Sequence, residues 1–117
     1  MGATSLAKSV IWISYDLGVR GDYEGLYAWL DRHDAEECGD SLAFISYEYK
    51  GSLPEFLEAD LKKAFNVNDR AVGRTRVYVI YKDDESGTFK GRFIFGHRKA
   101  APWAGYAPAD AEIADEA

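Results

Sequence analysis

The sequence predicts an α+β fold in which an antiparallel sheet of four to five strands carries two helices on one face. Three observations support this prediction. Stretches rich in β-branched and aromatic residues alternate with two stretches of helical periodicity. The 117 residues match the usual size of one domain. A hydrophobic content of 47%, with 15% aromatic residues, supplies enough apolar surface for a packed core.

The first strand is predicted over residues 9–16, where both alternating faces are apolar. Such a strand is typical of the middle of a sheet. A glycine-containing loop then leads to Asp22, whose short carboxylate suits a helix N-cap. Apolar side chains at i, i+3, i+4 and i+7 predict a helix after this cap. Its expected buried stripe is Tyr23, Leu26, Tyr27 and Leu30.

A short strand over residues 35–38 and a longer one over residues 41–49 are expected next, separated by a tight turn. Ser52 and Glu55 then form the pattern of a capping box, in which each side chain accepts from the other residue's amide. A proline in the first turn is compatible with this helix start. The predicted buried stripe of the second helix is Phe56, Leu57, Leu61, Ala64 and Phe65.

A β-hairpin is predicted from residues 75–82 and 88–96. The connecting residues 83–87 are acidic but lack the regular oxygen spacing of a calcium loop, so they predict a solvated hairpin tip. In the second arm, alternation places three aromatic residues on a packed face and two cations on a wet face. The aromatic residues are Phe89, Phe93 and Phe95, and the cations are Lys90 and Arg92.

The order β-α-(β)-β-α-β-β favours a ferredoxin-like sandwich, βαββαβ with one extra strand. If residues 35–38 do not form a strand, the order becomes βαβαββ and the pairing changes. We expect one domain over residues 1–106 with a C-terminal arm docked on it. The arm aromatics Trp103 and Tyr106 either dock on the domain or contact a partner. Residues 107–117 are alanine-rich and acidic and predict a flexible tail.

Cysteine and hydropathy patterns limit the classes of protein and of site. The single cysteine, Cys38, excludes an intramolecular disulfide framework and a cysteine-cluster zinc site. We expect it to be a small buried residue, and we expect His33 to lie at a helix end, so that neither belongs to a metal site. The apolar run over residues 10–13 is too short for a signal peptide or a membrane span. A cytoplasmic location without membrane association is therefore expected.

Charge is segregated along the chain. Residues 1–69 contain 6 Lys and Arg against 13 Asp and Glu, residues 70–99 contain 8 against 3, and residues 100–117 contain 0 against 4. One basic segment thus lies within an acidic protein of net charge −6. The candidate partner-binding residues in and after this segment are Arg74, Arg76, Lys90, Arg92, His97, Arg98, Lys99, Trp103 and Tyr106.

The expected function is that of a small cytoplasmic protein-binding module without catalysis and without a cofactor. Regulatory, immunity, antitoxin and inhibitor roles all suit such a module. Nucleic acid is a less favoured partner because the net negative charge repels phosphate. Binding through charge and stacking in the cationic, aromatic segment is the corresponding alternative. A homodimer is compatible with the sequence.

The end of the first strand, residues 13–17 (Ile-Ser-Tyr-Asp-Leu), supports an alternative function. It resembles the start of the CRISPR-associated small ferredoxin-like nucleases and of the related virulence-associated protein D type RNases. The resemblance implies that Asp16 binds Mg²⁺ or Mn²⁺, often across a dimer interface, and polarises a phosphodiester. The other interpretation of Asp16 is a strand-end carboxylate that caps the loop over residues 18–21.

Overall fold

The first strand, β1 (Ala7–Asp16), lies in the middle of a five-stranded sheet. The structure is a computed structural model that describes residues 6–65 and 74–108. Both faces of β1 are apolar, as a central strand requires, and it pairs with residues 42–49 on one side and with residues 76–81 on the other. The other elements are α1 (Tyr23–Arg32), β2 (Glu36–Glu37), β3 (Leu42–Tyr49), α2 (Leu53–Ala64), β4 (Arg76–Lys82) and β5 (Phe89–Phe95).

The sheet is antiparallel throughout, with strand order β2-β3-β1-β4-β5. The α+β prediction is confirmed, and so is the short second strand, although it has only two residues. Directly paired residues of antiparallel strands share a face. Ile11, for example, lies opposite Ile45 on one neighbour and Tyr81 on the other. The register therefore collects the apolar residues of three strands into one layer.

This layer and the two helices form the core. Strands β1, β3 and β4 contribute their odd-numbered positions, β5 contributes Ile94, and the helices contribute their buried stripes. The largest fully buried side chains are Trp29, Tyr47, Ile11, Ile13, Leu17, Leu26, Ile45, Leu57, Leu61, Val77 and Val79. The even-numbered positions of β1, β3 and β4 point to the opposite face, which no described element covers.

Helix α1 buries a different stripe from the predicted one. Tyr27 is 52% exposed, whereas Trp29 is buried together with Leu26 and Leu30. The reason is tertiary, because the indole Nε1 of Trp29 donates to Asp60 Oδ2 on α2 at 3.0 Å. This contact turns the buried side of α1 towards α2.

The helix starts agree with the sequence in position but not in capping chemistry. Asp22 is the N-cap of α1, and its Oδ1 accepts from the amide of Gly25 at 2.9 Å, as predicted. Ser52 is the N-cap of α2, but its hydroxyl makes no capping hydrogen bond, so the predicted capping box is wrong. Only the Ser52 carbonyl takes part, accepting from the amide of Phe56. Burial of Leu53 and Pro54 fixes this helix start instead.

The second arm of the hairpin, β5, differs from its prediction in which face is packed. A register irregularity between Val77 and Tyr78 makes Phe95 pair with Val77 and Phe93 with Tyr78. Such a bulge inserts a residue and reverses the alternation of faces. Phe95 therefore packs against Phe65 on the helix side, at 5.4 Å between ring centroids. Phe89 and Phe93 lie on the uncovered face instead.

Three further expectations concern exposed or undescribed residues. Cys38 is exposed rather than buried, because the short β2 places it in the turn before β3. The arm aromatics Trp103 and Tyr106 are 74% and 84% exposed, which is the opposite of what a docked arm requires. Of the predicted acidic tail, residues 109–117 lie outside the described residues. No described helix is long and apolar enough to cross a membrane.

Candidate functional site

Aromatic rings occupy the centre of the uncovered sheet face. Trp12 of β1 contacts Phe44 of β3 at 5.1 Å and Phe89 of β5 at 6.3 Å between ring centroids. Val10 and Ile80 lie on the same face and are also exposed. These residues come together because Trp12 is paired directly with Phe44 and Ile80 in the two ladders. A water-facing apolar patch of this kind is typical of an interaction surface.

Two arginines lie beside this patch, over two further rings. Tyr78 and Phe93 pack edge to face, with centroids 4.7 Å apart. The Arg76 guanidinium carbon lies 5.4 Å from the Phe93 centroid. The Arg98 guanidinium carbon lies 5.7 Å from the centroid of Tyr78 and 5.5 Å from that of Phe93. We call these four residues the arginine corner, and their distances are those of cation–π contacts.

Two glycines allow the arginine corner to form. At Gly91 the ring of Tyr78 lies directly over the strand, where an added Cβ would meet Cζ at 2.6 Å. At Gly96 the backbone adopts φ +77°, a conformation that favours glycine. The turn at Gly96 places Arg98 over the rings, and the Arg76 Nε–H donates to the carbonyl of His97 at 3.3 Å. The corner is thus held by backbone geometry as well as by ring contacts.

A cavity of about 240 Å³ opens at this corner, lined by Ser14, Asp16, Arg76, Tyr78, Phe93 and Arg98. Asp16 Oδ1 accepts from the amide of Gly18 at 3.0 Å, so the loop-capping interpretation of Asp16 is confirmed. One carboxylate beside two guanidinium groups does not fit a divalent cation, because the cations would repel it. Among residues 6–65 and 74–108, no three His, Cys, Asp or Glu side chains are grouped as metal ligands would be. The guanidinium donors instead suit a carboxylate or another anion.

The uncovered face is electrically polarised from one edge to the other. Arg76, Lys82 and Arg98 lie on its β4–β5 side, with Asp16 paired opposite Arg76. Glu36 and Glu48 lie on its β2–β3 side, with Lys8 paired opposite Glu48. A negatively charged partner is therefore attracted to one half of the face and repelled by the other. This polarity selects where an acidic group binds.

The structure separates the nine predicted partner-binding residues into three groups. Arg76 and Arg98 form the corner. Lys90 and Arg92 lie on the opposite, helix-facing side of β5, because their neighbours in the strand point to the uncovered face. The other five are exposed. Arg74 lies before β4, and the four that follow β5 are His97, Lys99, Trp103 and Tyr106.

Sequence reasoning missed the rings that complete the site. Tyr78 and Phe93 come from paired strands, and only the register places them together. Ser14 and Asp16 reach the same cavity from β1. A signal was present in the sequence, since Tyr78, Ile80 and Lys82 alternate with buried residues of β4. This alternation indicates a second, solvent-facing side of the strand.

A polar cluster lies elsewhere, between α1, α2 and β3. Asp60 Oδ2 accepts from the hydroxyl of Tyr47 at 2.8 Å and from Trp29 Nε1 at 3.0 Å, and it lies 3.7 Å from His33 Nε2. Burial, followed by the hydrogen bond to Asp60, raises the pKa of Tyr47 well above its usual range. This cluster ties the two helices to the sheet.

Comparisons of the chain with protein-family models, with curated proteins and with solved structures find no match.

Proposed function

We propose that this protein is a binding module rather than an enzyme and that it recognises an acidic protein partner at the arginine corner. The supporting observation is the position of Arg98 over the rings of Tyr78 and Phe93, beside an open cavity. A guanidinium held over rings loses less conformational freedom when it binds a carboxylate. Arginine and tyrosine are also enriched among the residues that dominate binding energy at interfaces.

The charges of the uncovered face favour a protein over a nucleic acid. Glu36 and Glu48 share this face, on strands away from the arginine corner. A phosphate backbone that crossed the sheet would meet these carboxylates, in a protein of net charge −6. A protein segment can instead present a single carboxylate to the arginines and apolar side chains to the ring of Trp12.

The proposal includes a ferredoxin-like fold and a cytoplasmic location. The order β2-β3-β1-β4 with two helices supports a ferredoxin-like arrangement in which β5 is an added edge strand. The single cysteine, which is exposed and free, supports a reducing cytoplasm. Regulatory, immunity, antitoxin and inhibitor proteins act through such protein contacts.

The proposal is tested by charge reversal at the arginine corner. Partners captured from the native cell extract are purified, and their affinities for the parent protein and for Arg98→Glu are measured by calorimetry. We expect Arg98→Glu to weaken binding at least about tenfold, because it puts a repulsive charge in the cavity. Lys50→Glu is the matched control, since Lys50 is exposed in the turn between β3 and α2. Equal binding by all three proteins would refute the proposal.

A metal-dependent nuclease that uses Asp16 is the second candidate. One observation favours it, namely that Asp16 lines a cavity with two arginines that could hold a phosphate. Because a single carboxylate does not fit the metal, a second subunit would have to supply another. Cleavage of RNA or DNA that requires Mg²⁺ or Mn²⁺ and is lost in Asp16→Asn would support this candidate. Cleavage that is absent, or equal in Asp16→Asn, would remove it.

A further inference from the structure

The outer edge of β5 presents backbone groups that no described residue pairs with. The Asp83 amide donates to the carbonyl of Thr88 at 2.8 Å. This bond fixes which residues of β5 direct their amides and carbonyls towards β4. Residues of an antiparallel strand bond alternately to one side and the other. The amides and carbonyls of Phe89, Gly91 and Phe93 therefore point away from β4. No residue in the described part of the chain bonds to these outward groups.

Cations line one side of this edge and rings line the other. The side chains of Lys90 and Arg92 lie on the helix-facing side and are exposed, while Phe89 and Phe93 lie on the uncovered face. Lys90 Nζ lies 3.4 Å from Asp83 Oδ2 but is still 51% exposed. Among the described residues, Arg92 has no ion-pair partner.

These cations determine which strand can pair with the edge. A second copy that paired edge to edge would bring Lys90 and Arg92 against their own equivalents, and like charges on adjacent strands repel. Charged edge residues protect a native sheet in this way. A strand that carries acidic side chains at the facing positions would meet attraction instead.

We propose that a segment of the acidic partner adds to the sheet as a sixth strand, antiparallel to β5, with alternating acidic and apolar residues. Its acidic side chains lie beside Lys90 and Arg92, and its apolar side chains continue the uncovered face beside Phe89 and Phe93. Main-chain hydrogen bonds supply affinity in such strand addition, and the alternate side chains supply specificity. This inference rests on the proposed function and specifies how the partner is held.

The opposite edge of the sheet does not offer the same site. Strand β2 pairs with β3 at Ala43 and Phe44, and the Cys38 amide donates to the Leu42 carbonyl, so the outward groups of Ser46 and Glu48 have no partner among residues 6–65 and 74–108. The side chain of Glu48 is exposed there with Lys8 of β1 opposite it, and β3 itself carries no cation that would attract an acidic strand. Charge therefore assigns the acidic segment to β5.

The test uses the full-length ¹⁵N-labelled protein and a capped hexapeptide of alternating glutamate and valine. We expect binding to slow amide hydrogen exchange about tenfold or more at Phe89, Gly91 and Phe93, because these amides become hydrogen-bonded. The amides of Ser46 and Glu48 serve as the internal control and keep their rates. N-methylation of the hexapeptide at one set of alternate residues should abolish binding, whereas methylation of the other set should not.

Two further binding measurements test whether the alternation of charge along the edge determines which peptide binds. A hexapeptide of the same composition, with three glutamates followed by three valines, should bind about tenfold more weakly. Arg92→Glu should weaken binding of the alternating peptide by a similar factor, and Lys50→Glu should not. The inference is overturned by equal affinity of the two peptides, by binding without protection of the three β5 amides, or by no binding at about 1 mM peptide.

Strand addition and the role of the arginine corner can fail independently, and the variants distinguish the two failures. If Arg98→Glu abolishes binding of the purified partner while Arg92→Glu leaves it unchanged and the β5 amides stay unprotected, the binding module stands and strand addition is wrong. If the peptide protects the β5 amides but Arg98→Glu binds the partner like the parent, strand addition stands and the role of the arginine corner is wrong.

Discussion

Asp60 holds the two helices and the sheet together, and its removal should be among the most damaging changes on the surface of the molecule. Its Oδ2 accepts from Tyr47 at 2.8 Å and from Trp29 at 3.0 Å, and these donors come from β3 and α1. Asp60→Ala removes both bonds at once. The Trp29 side chain, only 2% exposed, then loses the partner of its indole N–H.

The structure sets the size of the expected loss. A hydrogen bond to a charged acceptor contributes about 1.5–3 kcal/mol to stability. The Asp60 side chain is 30% exposed, so water compensates for part of the loss. We therefore expect Asp60→Ala to lower the free energy of unfolding by about 2–3 kcal/mol. Asp60→Asn keeps a carbonyl acceptor and should cost about half as much.

Urea denaturation followed by circular dichroism measures this difference. Glu58→Ala is the matched control, because Glu58 lies on the same helix and only joins Lys62 in an exposed i, i+4 ion pair. Such a pair contributes about 0.3–0.5 kcal/mol. If Asp60→Ala and Glu58→Ala shift the midpoint equally with unchanged slopes, the polar cluster does not stabilise the fold as argued.

Three further predictions concern caps, packing and pH. In urea melts, Asp22→Ala should cost about 1 kcal/mol, whereas Ser52→Ala should be nearly neutral because its hydroxyl caps nothing; the reverse order would contradict the capping assignment. Gly91→Ala should displace the Tyr78 ring, cost about 1–3 kcal/mol and change the near-ultraviolet circular dichroism, and an unchanged spectrum would count against the ring position. Above about pH 10 stability should fall, because unfolded Tyr47 releases its proton while folded Tyr47, with its raised pKa, keeps it. Tyr47→Phe should flatten this alkaline decline, and an unchanged slope would assign it to other groups.

Local sequence signals were sufficient for most of the secondary structure. The two-sided apolar pattern of β1 identified a central strand, and the carboxylate of Asp22 identified a helix start. These features depend on residues close in sequence, whose propensities act before the chain folds. The capping box at Ser52 fitted the same kind of rule but failed, because burial of the neighbouring Leu53 and Pro54 decided that helix start.

The candidate site could be predicted only in part. Charge segregation along the sequence indicated the basic segment and therefore Arg76 and Arg98. It could not separate them from Lys90 and Arg92, which face the other side of the sheet. The bulge that reverses the faces at the end of β5 is defined by the pairing of that strand with β4, so the faces of Phe93 and Phe95 follow from the register.

The sequence by itself determined the elements, their order and the position of the basic segment, because each depends on propensity, periodicity or composition within a short window. Only the tertiary structure decided which face of the sheet is uncovered and which rings lie beneath Arg98. It also left Trp103 exposed, where the sequence allowed docking. The physical reason is register: a shift of one residue moves every side chain of a strand to the other face. That register is set by the packing of the whole core and not by the strand alone.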